Sequence, residues 1–311
     1  MKNLFASLIG MLIFAPAGAK FVPWEEAITV RSLTQAAARI EFNGVPEARC
    51  AGTLISNKGH FVTAAHCMIG CFVQQGLHSN LSLQAQGATP NPDHINYEVL
   101  AGTSCHAILN GWPTEVKVLF VPNCTIAEMK KAHREFDAKA EVQKPECLQE
   151  SDIALLKIAS LPAGLKCARL SKRAAVGDKT YTLGYPIKTR RMNGRDSNGL
   201  TLQYSEGHIL APQGKCLKEG KTQNFQSFNA RAANLANFQS DVDIYAGSSG
   251  GGLFNWDNEL IGVTSYSAGF TTDKIHCWGD SFFARLYRAP DSGLPPFSHE
   301  KELEGIQCET L

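Results

Sequence analysis

Short runs dominate this chain. Apolar or alternating stretches of a few residues recur at 53–55, 60–63, 97–100, 116–121, 153–158, 180–183, 252–254, 260–263 and 282–286, each closed off by turn residues. Many are rich in β-branched and aromatic side chains, which suit a pleated, half-buried surface. Short strands punctuated by turn signals predict an all-β barrel or sandwich. One segment breaks the pattern. Residues 126–142 carry Ala, Glu, Lys and Met with little alternation, which predicts a short helix. It lies between Cys124 and Cys147, so a disulfide across that pair would close a helical insert. Its basic residues Lys130, Lys131 and Arg134 are expected on a solvated face.

Bulk composition narrows the class. With 311 residues and 44% apolar content, the chain can bury a real core, as one large domain or two small ones. Only 19% of residues are charged and the net charge is +1, so nothing calls for nucleic acid or an anionic membrane. Residues 1–19 stand apart: Lys2, an apolar stretch at 4–14, then Ala17-Gly18-Ala19. This is the pattern of a cleaved secretory signal peptide, with residues 20–39 left open as a propeptide. No later stretch is long and apolar enough to span a bilayer. Ten cysteines follow the signal, an even number that suggests up to five disulfides in an exported protein. Secretion or a periplasmic location is therefore expected. Cys67 and Cys71 flank His66 closely, but no second compact ligand pair follows, so neither a metal nor a cofactor is expected.

The chemistry-bearing segment is Gly247-Ser248-Ser249-Gly250-Gly251. A serine hydroxyl is a weak nucleophile unless a base removes its proton. It also needs amide donors aimed at the oxyanion formed on attack, and glycines let the backbone bring them close. The same five residues match the G-x-S-x-G elbow of α/β-hydrolases. Against that alternative, Gly251-Gly252-Leu253-Phe254 leads into a strand and not a helix. An elbow enzyme would also need its histidine after the serine, where only His276 and His299 stand.

Upstream lie Cys50-Ala51-Gly52-Thr53-Leu54-Ile55, Thr63-Ala64-Ala65-His66-Cys67 and Ser151-Asp152-Ile153-Ala154-Leu155-Leu156. These segments resemble the C-G-G-S-L-I, T-A-A-H-C and D-I-A-L-L motifs of the trypsin/chymotrypsin family, in that family's order of His, Asp, Ser. Residues 239–249, 176–179 and 183–186 are similar to its bacterial branch. The resemblance spans about 40–290. It implies two six-stranded antiparallel β-barrels, the first at about 40–165 and the second at about 166–290, with a C-terminal tail to 311. It implies a serine endopeptidase in which Ser249 attacks, His66 is the base and Asp152 orients it, with the Gly247 and Ser249 N–H groups as oxyanion hole. Cys50 should pair with Cys67. Cys71 with Cys105 and Cys124 with Cys147 are the local pairings; Cys167, Cys216, Cys277 and Cys308 stay unassigned.

Specificity is expected from Asp243, with Ser265 and Ser267 lining the pocket and pairing with substrate backbone. That would favour cleavage after Arg or Lys. Tyr245 replaces the cysteine that normally braces this pocket, and Asp241 and Asp280 are rival sources of charge. Ser248 stands where trypsin-like enzymes carry the aspartate that captures a new N-terminus, so no trypsin-style activation switch is expected. A basic loop at 188–191 is expected to be a solvated turn. Partners would be protein or peptide substrates, acted on by a monomer. The alternative is a catalytically inactive homologue acting as a binding protein.

Overall fold

Alternation along two neighbouring strands sets the architecture. In β4 (His60–Thr63) and β7 (Ala154–Ile158), Phe61, Ala154, Leu156 and Ile158 point into one core, with Ile40, Leu54, Leu109, Val116 and Val118. Val62 and Leu155, with Ile153 just ahead of β7, enter a second core among Leu183, Phe254, Val263 and Ala284. Strand side chains alternate with a period of two. The run 153–158 is apolar nearly throughout because both of its faces are covered.

The computed structural model describes residues 22–23, 34–42, 49–77, 91–137, 145–186, 200–210, 214–218, 221–225, 236–267, 275–278 and 281–309. The expected signal peptide, the basic loop at 188–191 and Asp280 lie outside the described residues, as do the side chains of Arg134, Ser267 and His276. β2 (Ala37–Phe42), β3 (Arg49–Leu54), β4, β7, β6 (Trp112–Phe120) and β5 (Ser104–Leu109) form a closed antiparallel barrel in that order. β2 runs across the boundary expected at 39/40: Arg39 and Ile40 pair with Ala51 and Cys50.

The second sheet runs β10 (Gln203–His208), β9 (Lys179–Gly184), β14 (Gly252–Asn255), β15 (Glu259–Ser267), β17 (Ser281–Arg285), β13 (Asn237–Ser240). It curls into the second, half-open barrel. An Ile209–Ser240 bridge, with Leu210 N–H donating to Gln239 C=O at 2.8 Å, brings β13 round to the end of β10. Two short additions extend it: β1 (Val22–Pro23) on β10 and β8 (Arg169–Leu170) parallel to β15. A small separate sheet joins β11 (Gly214–Lys218), β12 (Lys221–Phe225) and β16 (Ile275–Trp278), and its register sets Cys216 opposite Cys277.

Helices are few: α1 (Ile69–Gln74), α2 (Ile126–Asp137) and α3 (Glu300–Leu303). α2 is the expected insert helix. Thr125 and Glu128 start it with a reciprocal capping box, each side chain accepting the other's N–H at 3.1 Å. The Cys124–Cys147 disulfide closes the insert; Cys50–Cys67, Cys71–Cys105 and Cys167–Cys308 are also joined. One expected strand is corrected. Residues Tyr97–Leu100 form a single 3-10 turn, not a strand. The Asn96 side chain caps it by accepting the Glu98 N–H at 3.0 Å, and Tyr97 and Leu100, three apart, are the two buried residues. That spacing is helical, while a strand would have buried alternate positions. No helix among the described residues is long and apolar enough to cross a membrane.

Candidate active site

Antiparallel pairing of β4 and β7 brings His66 and Asp152 together. Thr63 pairs with Ala154, so the residues leaving β4 and those entering β7 share one end of the barrel. Buried Ala64 and Ala65 carry the chain into a 3-10 turn at Ala65–Met68 that presents His66. The Cys67 disulfide to Cys50 pins that turn to β3. Asp152 then accepts twice from His66: the backbone N–H at 3.1 Å on Oδ1 and ring Nδ1 at 2.8 Å on Oδ2.

A third bond comes from the second barrel. Ser265 on β15 donates its hydroxyl to Asp152 Oδ2 at 2.5 Å. Its side chain is therefore spent on the aspartate, which the sequence did not foretell. Burial opposes charge on Asp152, but the His66 cation and the bonds from His66 and Ser265 hold its carboxyl below the usual range. Burial likewise pushes His66 down, yet the charge and hydrogen bond of Asp152, then Asp93, outweigh it against Lys130 and leave it raised above 6.5. An ionised carboxylate only accepts, so Nδ1 carries the ring proton and Nε2 keeps its lone pair.

Ser249 reaches the same cleft through backbone. Its carbonyl accepts from the Ala51 N–H at 2.7 Å, next to the disulfide that anchors the histidine turn. Gly250 has φ +80, and a Cβ there would lie 2.2 Å from both Ala51 O and Thr63 Oγ1. No other residue allows the serine loop to press this closely on β3 and β4. Gly250 N–H donates to Thr264 O at 2.8 Å and Thr264 N–H to Gly251 O at 2.7 Å, which fixes the loop to β15. Gly247 is also left-handed, at φ +91. The N–H groups of Gly247 and Ser249 donate to no acceptor among the described residues, whereas Ser248, Gly250 and Gly251 all donate. Ser248 is buried, and its hydroxyl accepts from Tyr245 N–H at 3.4 Å.

Around this centre the remaining candidates sort themselves. Asp243 is half-buried, with its N–H held by Ser205 Oγ at 2.9 Å. Asp241 is engaged elsewhere: Oδ1 accepts the His208 N–H at 2.6 Å. Ser281 on β17 donates its hydroxyl to Val242 O at 2.6 Å. His299, the alternative base of an elbow enzyme, is fully buried and bonds Leu286 O at 2.8 Å. Burial pushes it down to about 4. Lys131 is exposed, as expected of a solvated face; Lys130 is only partly so. Its ammonium sits 3.2 Å from Asp93 and 4.8 Å from the centre of the Tyr266 ring, which itself stacks on Phe282 at 4.6 Å. Asp93 and Lys130 are both felt by His66, so the insert helix borders the cleft. The groupings Cys50–His66–Cys67 and Cys124–Glu128–Cys147 have the spacing of metal ligands, but their sulfurs are spent in disulfides and offer no thiolate.

Comparison with known proteins gives the family. No curated protein matches the chain. Among solved structures it is similar to an inactive form of the Rv3671c protease, at 13% identity and a TM-score of 0.42, covering 84% of this chain and 88% of that one. A serine-to-alanine mutant of Rv3671c from M. tuberculosis H37Rv, also an inactive form, gives 13% identity and a TM-score of 0.41, covering 83% and 84%. The trypsin-like peptidase domain matches residues 50–263, from β3 through the histidine turn, Asp152 and the serine loop to β15. With more than half of its length in that match, the chain belongs to the trypsin-like peptidase domain family.

Proposed function

We propose that the protein is an exported serine endopeptidase in which Ser249, His66 and Asp152 act as a triad. The observation that carries this is the doubly held Asp152–His66 pair, with a serine loop packed on β3 and β4 just ahead of the histidine turn and two N–H groups in that loop that donate to no acceptor among the described residues. His66 Nε2 takes the Ser249 proton as the hydroxyl attacks the scissile carbonyl. Asp152 stabilises the imidazolium. The Gly247 and Ser249 N–H groups receive the oxyanion, where fixed donors lower the barrier without reorganising. The imidazolium then protonates the leaving amine, and water, activated by the same base, releases the acyl group.

Half-buried Asp243 is the pocket carboxylate in this scheme, which favours Arg or Lys at the cleaved position. The backbone of 265–267 pairs with substrate ahead of the scissile bond, passing Tyr266 and Lys130. Export is supported by four disulfides, which persist in oxidising compartments.

Peptide-library cleavage by the purified protein beside Ser249→Ala tests the scheme, with fluorophosphonate labelling in parallel. Cleavage after Arg or Lys and labelling of Ser249 are expected, both lost in the variant. A folded protein that neither cleaves nor labels is instead an inactive homologue. Preference for Phe, Leu or Glu would remove Asp243 from the pocket while leaving the triad.

A further inference from the structure

The residues just ahead of Asp152 are gripped from the far end of the chain. Leu148 O accepts from Arg288 Nη2, Gln149 O accepts from the Ser298 N–H at 2.7 Å, and Glu150 Oε1 accepts from Ser298 Oγ at 3.0 Å. Three consecutive residues are thus held by two residues of one C-terminal arm. Glu150 is 1% exposed and Arg288 7%, so the contacts are made away from water. Glu150 Oε2 has no hydrogen-bond partner among the described residues. Isolated polar groups of this kind are costly to bury.

The arm is cross-linked by its own contacts. Glu300 Oε1 accepts from the N–H groups of Arg288 and Phe297 at 2.8 and 2.9 Å, and Arg288 Nε donates to Pro295 O at 3.1 Å. The guanidinium lies over the Phe297 ring at 3.8 Å, and Phe297 stacks on buried His299 at 5.3 Å. His299 also meets Phe120 on β6, and Cys308 ties the end of the arm to Cys167. None of these residues enters the chemistry proposed above.

We propose that Arg288, Ser298 and Glu150 form a positioning clamp that sets Asp152 against His66. Beside the clamp, the N-terminal side of Asp152 is held by Ser151, whose Oγ donates to Ala236 O at a long 3.4 Å and whose C=O accepts from the Ile153 N–H at 2.7 Å, and by Cys147, which is joined to Cys124 and accepts from the Glu150 N–H at 3.3 Å. A displacement of about 1 Å in a catalytic group costs on the order of 100-fold in rate. The groups facing Glu150 are Ser298, the Asn123 backbone, Glu98 and Arg288; burial, helped by the Glu98 charge, outweighs the other three and raises its carboxyl to about 7. Near neutrality the clamp's carboxyl is therefore about half protonated, and an amide can replace the protonated form.

The clamp's catalytic consequence rests on the peptidase assignment above, so the test includes a readout that needs no turnover. The His66 ring is titrated by NMR, and kcat and KM are measured, in the wild type, Glu150→Ala, Ser298→Ala and Glu150→Gln. Expected for Glu150→Ala is a fall in kcat of about 10- to 100-fold with KM within about twofold. The His66 titration should move down, because Asp152 loses its grip while Asp93 and Lys130 stay in place. Glu150→Gln should restore both readouts. Ser298→Ala removes one bond and little volume, and should shift both in the same direction even where Glu150→Ala fails to fold. Unchanged kcat and His66 titration in folded Ser298→Ala and Glu150→Ala would reduce the arm to a brace. A His66 shift in a protein whose wild type cleaves nothing would uphold the clamp and overturn the peptidase assignment.

Discussion

The two sides of the cleft are held by different means. His66 and Asp152 are fixed by side chains: a disulfide, two bonds from His66, one from Ser265 and the arm behind Asp152. Ser249 is fixed by main chain, through glycines at φ +91 and +80 and carbonyl contacts with β3 and β15. Side chains can be trimmed atom by atom and some of them titrate. A backbone fit of this kind accepts no Cβ at all. The first side should therefore respond to mutation and pH in graded fashion, and the second in all-or-none fashion.

Asp152→Asn tests the first side most severely. The amide can donate where the carboxylate accepts, which turns His66 to the wrong tautomer. A fall in kcat of about 10⁴-fold in a protein that still folds is expected in a peptide assay. A loss of only a few fold would mean that Ser265 and the turn alone orient His66. Gly250→Ala attacks the second side. Its Cβ would meet Ala51 O and Thr63 Oγ1 at 2.2 Å in a left-handed conformation, which should cost about 3 kcal/mol in urea unfolding and abolish labelling of Ser249. A well-folded, labelled variant would show that the serine loop can withdraw from β3 without harm.

The pH profile separates activity from stability on the titrating side. A general base must be neutral, so kcat/KM should rise through a pKa above 6.5, the direction in which Asp152 and Asp93 move His66. Stability runs the other way. The raised His66 contributes fully below its unfolded value and loses that contribution as pH rises through its folded value. The depressed Asp152 contributes above its unfolded value of 3.8 and loses it as pH falls through its folded value. The pair thus stabilises the fold most between about 4 and 6.5 and catalyses best above that. An acidic limb below 6.5 would break this account. The smallest effect is expected from Lys130→Ala on the insert helix. The Lys130–Asp93 pair is partly exposed and worth little, so selectivity between acidic and basic residues ahead of the scissile bond should change by about threefold. No change at all would make the insert a mere border of the cleft.

Local pattern made much of this legible. Each of the three motifs carries its functional residue inside a short segment with its own turn or strand signal, and the family match spans all three. The Cys71–Cys105 and Cys124–Cys147 pairs joined as their proximity in sequence suggested. The segment at 97–100 misled because four residues cannot separate a strand from one helical turn without their burial. The contacts of Lys130 were not legible because a basic helix residue is usually solvated, and only packing of the insert beside Tyr266 covers part of it.

By itself the sequence determined the β class and the insert helix, and it singled out the residues proposed for acyl transfer, because those follow from local periodicity and from side-chain chemistry. Tertiary structure alone decided that Ser265 donates to Asp152, 113 positions away, that Cys167 joins Cys308 across 141, and that Arg288 grips Leu148 across 140. Such pairs leave no local trace. They exist only because two barrels, each satisfying its own strand pairing, meet face to face and the arm closes behind them.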